Sequence, residues 1–221
     1  MDPLEALAAI ERGRTDRVLD LIGHASPEQL IEALGHAAYF GDVTACRLLL
    51  NAGVPLSSQG ADLGLMAASF HGHWRLVQFL IEQGADPNTR DAETGETPLH
   101  AALTNEDRAL YDRGVQLLLA AGADVNAATL PGVATGSLMR DAFTRGETPL
   151  HRAALYGTPA TLGLLIEAGA HIDAKDAHGE TPLGYASWAR RPVEVLRPLL
   201  YGEHRIREGY RGLRENLHGD P

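Results

Sequence analysis

The chain has 221 residues, is 44% hydrophobic and carries a formal net charge of -10, which suits one or two folded domains and excludes disorder as its general state. With no Lys/Arg stripe to neutralise phosphates, the acidic balance argues against nucleic acid as a partner and disfavours docking on an anionic membrane. Cys46 is the single cysteine, so neither an internal disulfide framework nor a cysteine-based metal cluster can form.

Lys175 is the only lysine, and this Arg-for-Lys skew with abundant Ala and Gly is the composition of a GC-rich genome, as in many bacteria. The opening residues Met1-Asp2-Pro3-Leu4-Glu5 lack a basic n-region, and no apolar run approaches the ~18 residues of a membrane span. A cytoplasmic protein is expected.

In chain order, Leu4 to Ile22 reads as a weak helical pair with Ala9, Gly13, Val18, Leu19 and Leu21. Residues 31–62 carry Ala37-Ala38, Gly41, Leu48-Leu49-Leu50 and a poor turn at Val54-Pro55-Leu56. Residues 63–96 carry Gly72, then Leu76, Val77, Phe79, Leu80 and Ile81 at helical spacing, then Gly84-Ala85-Asp86. Thr97-Pro98-Leu99-His100 opens 97–147, which later holds Leu117-Leu118-Leu119 and Gly122-Ala123-Asp124. Thr148-Pro149-Leu150-His151 opens 148–180, with Gly157, Leu164-Leu165-Ile166 and Gly169-Ala170-His171. Thr181-Pro182-Leu183-Gly184 opens 181–221, 181 − 148 = 33 residues after Thr148.

Each signature has a mechanical reason. Thr caps a helix N-terminus, and Pro is tolerated at the first helical position. The Ala residues keep the first helix thin enough for neighbours to stack. Gly41, Gly72 and Gly157 are expected to end it by taking the positive φ that only Gly adopts cheaply.

A 33-residue period with these signatures marks a repeat array, and the sequence resembles the ankyrin repeat family over nearly its whole length. The resemblance implies an all-α solenoid of about six helix–turn–helix repeats with β-turn fingers and degenerate caps. A cap repeat falls at 1–30, repeats at 31–62, 63–96, 97–147 and 148–180, and a final repeat with a C-terminal capping helix at 181–221. Ile206, Tyr210, Leu213 and Leu217 would be the apolar face of that helix, closing the stack. His100 and His151 are then structural, tying finger to helix by hydrogen bonds. The finger asparagines Asn88 and Asn126 resemble positions that asparaginyl hydroxylases modify in some members, a modification not expected in a bacterial chain.

Two departures from the repeat stand out. From the histidine slot to the Gly that ends the second helix, 97–147 spans 122 − 100 = 22 residues against 169 − 151 = 18 in the next unit. The four extra residues are expected within Asn105 to Arg113, at the turn between the two helices. Gly122 to Thr148 covers 26 residues where Gly84 to Thr97 covers 13, and the excess falls within Ala128 to Arg145. Pro131, Gly132 and Gly136 mark turns there, while Leu130, Val133, Leu138, Met139 and Phe143 are apolar in a segment expected at the surface. The insertion either folds back on the stack or projects as a long finger that grips a partner.

In the family the inner helices and fingers form a concave surface, and two variable residues before the inner-helix Gly face it. That resemblance assigns Tyr39 and Phe40, Phe70 and His71, Leu155 and Tyr156, and Trp188 and Ala189, the last pair preceding Arg190 in the Gly slot. Exposed aromatics in such positions act as interface anchors. The expected partner-binding residues are Tyr39, Phe40, Phe70, His71, Tyr156 and Trp188 on the helices. Arg90 on a finger and Leu138, Met139 and Phe143 in the insertion complete them.

Catalytic and metal chemistry lacks a constellation. His71-Gly72-His73 straddles a helix-ending Gly with no third ligand at metal spacing. Cys46 lies on a Leu-rich helix, and neither a phosphate loop nor a GxSxG elbow occurs. No catalytic, cofactor or metal residue is assigned. The expected function is a non-enzymatic, monomeric module that binds a protein or peptide across its concave face, with 129–144 supplying selectivity. The alternative is a small-molecule-binding or regulatory accessory subunit acting at the insertion.

Overall fold

A computed structural model describes residues 16–105, 108–135 and 142–212. After α1 (Asp16–Ile22) the chain forms helix pairs: α2 (Pro27–Tyr39) with α3 (Val43–Asn51), α4 (Leu65–Phe70) with α5 (Trp74–Glu82), and α6 (Pro98–Ala101) with α7 (Arg108–Ala120). A two-stranded ribbon, β1 (Ala134–Thr135) and β2 (Ala142–Phe143), precedes α8 (Pro149–Tyr156) with α9 (Pro159–Glu167), and α10 (Pro182–Trp188) with α11 (Val193–Leu196) closes the series. Each helix packs on its partner and on the equivalent helix of the neighbouring pair, giving an inner row α2–α4–α6–α8–α10 and an outer row α1–α3–α5–α7–α9–α11.

The two rows differ in how much small-residue surface they bury, although each of the inner helices α2, α4, α6 and α8 also buries a leucine (Leu34, Leu65, Leu99, Leu150). Inner helices bury small residues such as Ala33, Ala37, Ala68, Ala153 and Ala186, while outer helices bury Leu49, Leu76, Phe79, Leu118 and Leu165. Thin inner helices let successive pairs approach, and the bulky outer side chains fill the remaining gaps in one continuous cluster from Val18 to Leu199.

The histidine signature is a staple between repeats. Thr97 N–H donates to His100 Nδ1 (3.2 Å), which leaves Nε2 to donate to the Glu147 carbonyl of the next repeat (3.2 Å). Thr148 N–H and His151 repeat the arrangement toward the Glu180 carbonyl (3.1 Å each). In the third repeat Leu63 occupies the Thr slot at a φ of 55°, and the cap passes to Asp62, whose Oδ2 accepts from Met66 N–H at 2.7 Å.

Two expectations are corrected, for Gly157 and for the C-terminal segment. Gly157 has a φ of −72°, so handedness is not what requires glycine there. A Cβ would lie 2.5 Å from the Ala153 carbonyl oxygen, and close backbone approach is the reason. Gly41 and Gly72 do take positive φ, and Arg190 holds a φ of 51° in the corresponding slot of the last repeat. In the repeat with extra residues, 102–107 separate α6 from α7 where only 157–158 separate α8 from α9, and α7 itself has 13 residues where α5 and α9 have nine, longer by 13 − 9 = 4 residues or about one turn. Asp112, in that extended half, accepts from Thr161 Oγ1 of α9 at 2.9 Å. The insertion at 128–145 includes the two-residue strands β1 and β2, a local ribbon on what is, as expected, an all-α repeat solenoid. Finally, residues 201–212 contain no helix. Gly209 at a φ of 73° breaks helical progression, and Tyr210 Oη donates to the Arg191 carbonyl at 2.8 Å. The segment therefore lies as a strap, with Ile206 and Tyr210 packed on the core. Leu213 and Leu217 lie outside the described residues.

Both staple histidines are held neutral. Burial, then the Arg152 charge, pushes His100 well below the ordinary imidazole value of 6.5, and burial lowers His151. Below about pH 6.5 the unfolded chain takes up protons that the folded chain resists, so their contribution is complete above that pH and is lost as pH falls toward the folded values. Thermal melts at about pH 7.5 and about pH 5 should show a lower midpoint in acid, with less dependence in His100→Gln/His151→Gln. Equal pH dependence in parent and variant would remove the staples as its source.

Candidate functional site

The insertion is tied down at both ends. Leu130 N–H donates to the Thr94 carbonyl (2.7 Å) of the preceding finger, and the Ala177 N–H of the following finger donates to the Arg145 carbonyl (2.8 Å). Between these anchors β1 and β2 pair antiparallel, Ala134 against Phe143 and Thr135 against Ala142. Thr144 Oγ1 donates to the Leu130 carbonyl, and Gly132 N–H donates to the Thr144 carbonyl at 2.7 Å.

Beneath the ribbon lies a buried ion cluster. Arg152, 0% exposed, donates from Nη2 and Nε to Glu147 Oε1 (2.7 and 3.1 Å), and from Nη2 to Glu96 Oε1. Glu147 Oε2 accepts from Thr129 Oγ1 and from Arg145 N–H (2.6 Å each). Thr135 Oγ1, on β1, donates to Glu96 Oε1 at 2.8 Å. One guanidinium thus joins two repeats and the ribbon. A buried ion pair adds little net stability because desolvation offsets attraction, but removing one partner strands the other charge. Its contribution is positional.

Above this cluster is a groove of about 670 Å³. Phe143 lines it from β2, Leu155 and Tyr156 from α8, and Tyr185 and Trp188 from α10, with Glu147 and Arg152 below them. Arg145, His178 and Glu180 supply its charged rim. Trp188 is 77% exposed and Phe143 59%, so both rings present apolar surface to solvent at the groove. Tyr185 Oη donates to Asp176 Oδ2 at 2.9 Å, and burial together with that carboxylate raises its phenol, which stays protonated.

The other assigned residues form a second aromatic cluster on α2 and α4. Tyr39 meets Phe40 and His71 edge-on at 5.0 and 4.6 Å between ring centroids, and Phe70 meets His71 at 5.2 Å. Tyr39, Phe40 and Phe70 stay exposed while making these contacts. His71 stacks on His73, whose Nε2 bonds the Tyr39 carbonyl at 2.8 Å. Arg90 donates to the Ala128 carbonyl and so braces two fingers. Leu138 and Met139 lie outside the described residues. Burial, followed by the Asp42 charge, pushes the Cys46 thiol up to about 12, which makes it inert.

Sequence reasoning passed over Glu96, Glu147 and Arg152. The signal was present: Arg152 stands between His151 and Ala153-Ala154, in a helix whose flanking positions are core, where the fourth repeat has Ala101. An arginine in that slot must find carboxylates or distort the helix.

Paired helices stacked in two rows, with fingers between successive pairs, define a repeat solenoid. The family described as "Ankyrin repeats (3 copies)" matches residues 6–91, 34–129 and 130–208, and the chain belongs to the ankyrin repeat family. It is similar to cyclin-dependent kinase 4 inhibitor B of Homo sapiens, 34% identical over 136 residues, covering 62% of this chain and 84% of the relative. It is also similar to the B-cell lymphoma 3 protein homolog of Mus musculus (36% over 121 residues, 55% of this chain and 23% of the relative) and to Rabankyrin-5 of Homo sapiens (37% over 102 residues, 45% and 8%). The chain spans less than a quarter of these last two. Ankyrin repeats in general are non-enzymatic modules that mediate protein–protein interaction. No helix among the described residues is long and apolar enough to cross a membrane.

Two substitutions separate the clasp from the stack. Arg152→Ala should destabilise the protein by about 3–5 kcal/mol, because two buried carboxylates are left facing each other. Thr135→Val should cost about 1.5–3 kcal/mol or less and act locally. Its expected signature is faster amide exchange at residues 133–135 and 142–144 with α8 and α10 unchanged. Uniform acceleration across the inner helices would show that the ribbon is not held separately.

Proposed function

We propose that the protein binds a segment of a partner protein across the face formed by the inner-helix ends and the fingers. Phe40, Phe70, Tyr156 and Trp188 supply affinity, and the 129–144 insertion supplies selectivity. One observation carries this reading: the insertion and the aromatics of α8 and α10, separate in sequence, line a single groove, where Phe143 joins Tyr156 and Trp188. Aromatic side chains anchor interfaces because each buries a large area at low entropy cost, and a rigid stack loses little order on binding. The similarity to a kinase inhibitor matched over 84% of its length supports a function exercised on another protein by a stack of this size.

The groove also favours a second reading. Its volume of about 670 Å³ is within the roughly 300–1,000 Å³ of small-molecule sites, so an apolar ligand held between ribbon and inner helices is the alternative.

Affinity capture from native lysate, with the parent beside a folded variant carrying Phe40, Phe70, Tyr156 and Trp188 all as Ala, tests the first reading. A protein retained by the parent and lost by the variant is expected. Trp188→Ala alone should weaken that complex by about 2 kcal/mol, near thirtyfold in Kd. Equal retention by both baits would move the site off these residues. Capture of nothing, together with a ligand-dependent rise in Tm, would favour the small molecule.

A further inference from the structure

The groove adjoins a second cleft of about 630 Å³: Glu180 and Gly184 line both, and Lys175, Tyr201, Arg205 and Arg207 contribute to the second. Arg190, Arg207, Glu208 and Arg211 line a further hollow at the same end of the stack. On the described walls of the two clefts, five cationic side chains (Lys175, Arg190, Arg205, Arg207, Arg211) stand against two carboxylates (Glu180, Glu208), a formal 5 − 2 = +3. The whole chain carries -10, so the lining of these two clefts is opposite in sign to the chain as a whole. All five cations are exposed, and Arg190 keeps its side chain there at a positive φ where other repeats place glycine, a conformation an L residue adopts reluctantly.

An apolar groove that adjoins a basic cleft selects for two properties in one ligand. We propose that the partner segment is an extended stretch of polypeptide with a bulky apolar side chain next to a short run of Asp or Glu. The apolar residue sits between Phe143 and Trp188, and the acidic run lies along Lys175, Arg205 and Arg207. This rests on the groove reading above and adds the partner's charge. Net charge alone points the other way, since a chain at -10 attracts basic peptides. Within a Debye length of about 8–10 Å, however, the local cations dominate the potential that a docked segment meets.

The test is selection of a random-peptide display library on the full chain at physiological salt. Enriched peptides are then measured by fluorescence polarisation on the parent, Trp188→Ala and Arg205→Gln/Arg207→Gln. The substituted side chains are exposed, and thermal melts confirm that each variant is folded. The expected peptides pair an aromatic or aliphatic residue with adjacent Asp or Glu. They lose at least tenfold affinity on Trp188→Ala and roughly tenfold on the double Arg variant, the second loss shrinking at high salt. Peptides that need Trp188 but carry no acid, carry Lys or Arg instead, or ignore the Arg substitutions overturn the proposal and leave the groove reading standing. Peptides indifferent to Trp188→Ala, or no enrichment at all, overturn both.

Discussion

The Arg152 guanidinium, enclosed by the Glu147 and Glu96 carboxylates, is the contact on which the individual character of this stack depends. Its carboxylates are placed in advance. Each immediately precedes a Thr-Pro helix start, and the His100 staple holds the Glu147 backbone against the previous repeat. A charge taken from water demands such placement, because an unpaired ion in the same site would cost several kcal/mol. Once the guanidinium is bound, Glu96 presents an acceptor to Thr135, the ribbon lies against the seam between repeats, and Phe143 reaches the groove. Cap, finger, ion cluster, ribbon and groove therefore form one causal sequence, each step making the next affordable.

The repeat architecture explains why so much variation is tolerated at one seam. Every helix pair buries its apolar face on its neighbours, so an insertion between pairs changes the surface without interrupting the core. The extra turn of α7 is absorbed in the outer row, where Asp112 finds Thr161. The longer insertion is absorbed between fingers, where backbone hydrogen bonds to Thr94 and Ala177 fix its ends. Recognition elements can thus be added to a rigid frame at small cost to its packing, leaving a preformed surface for a partner.

How far the sequence could be read follows the range of the forces involved. The caps and the Ala-rich inner and Leu-rich outer segments were legible because Thr97-Pro98, Ala153-Ala154 and Leu164-Leu165 act within one turn of helix or across one repeated contact. The aromatic slots were assigned through the resemblance; of them Tyr39, Phe40, Phe70 and Trp188 are exposed, while His71 and Tyr156 are half-buried. Gly157 was read for handedness because a positive φ is the commoner use of glycine at a helix end, whereas its proximity to the Ala153 carbonyl exists only in the folded chain. Ile206 and Tyr210 keep helical spacing, but Gly209 between them turns that spacing into a strap. Arg90 was read as a finger residue facing a partner, and its Ala128 acceptor lies 38 residues away.

The sequence by itself determined the repeat, the helix starts and the site of the insertion, since these rest on local capping, periodicity and backbone stereochemistry. Only the tertiary structure decided that Arg152 is buried, that Glu96 and Thr135 meet it, and that Phe143, Tyr156 and Trp188 share one groove. Those relations join residues up to 56 positions apart. Partners so distant are chosen by which donors and acceptors lose their water together when the repeats stack.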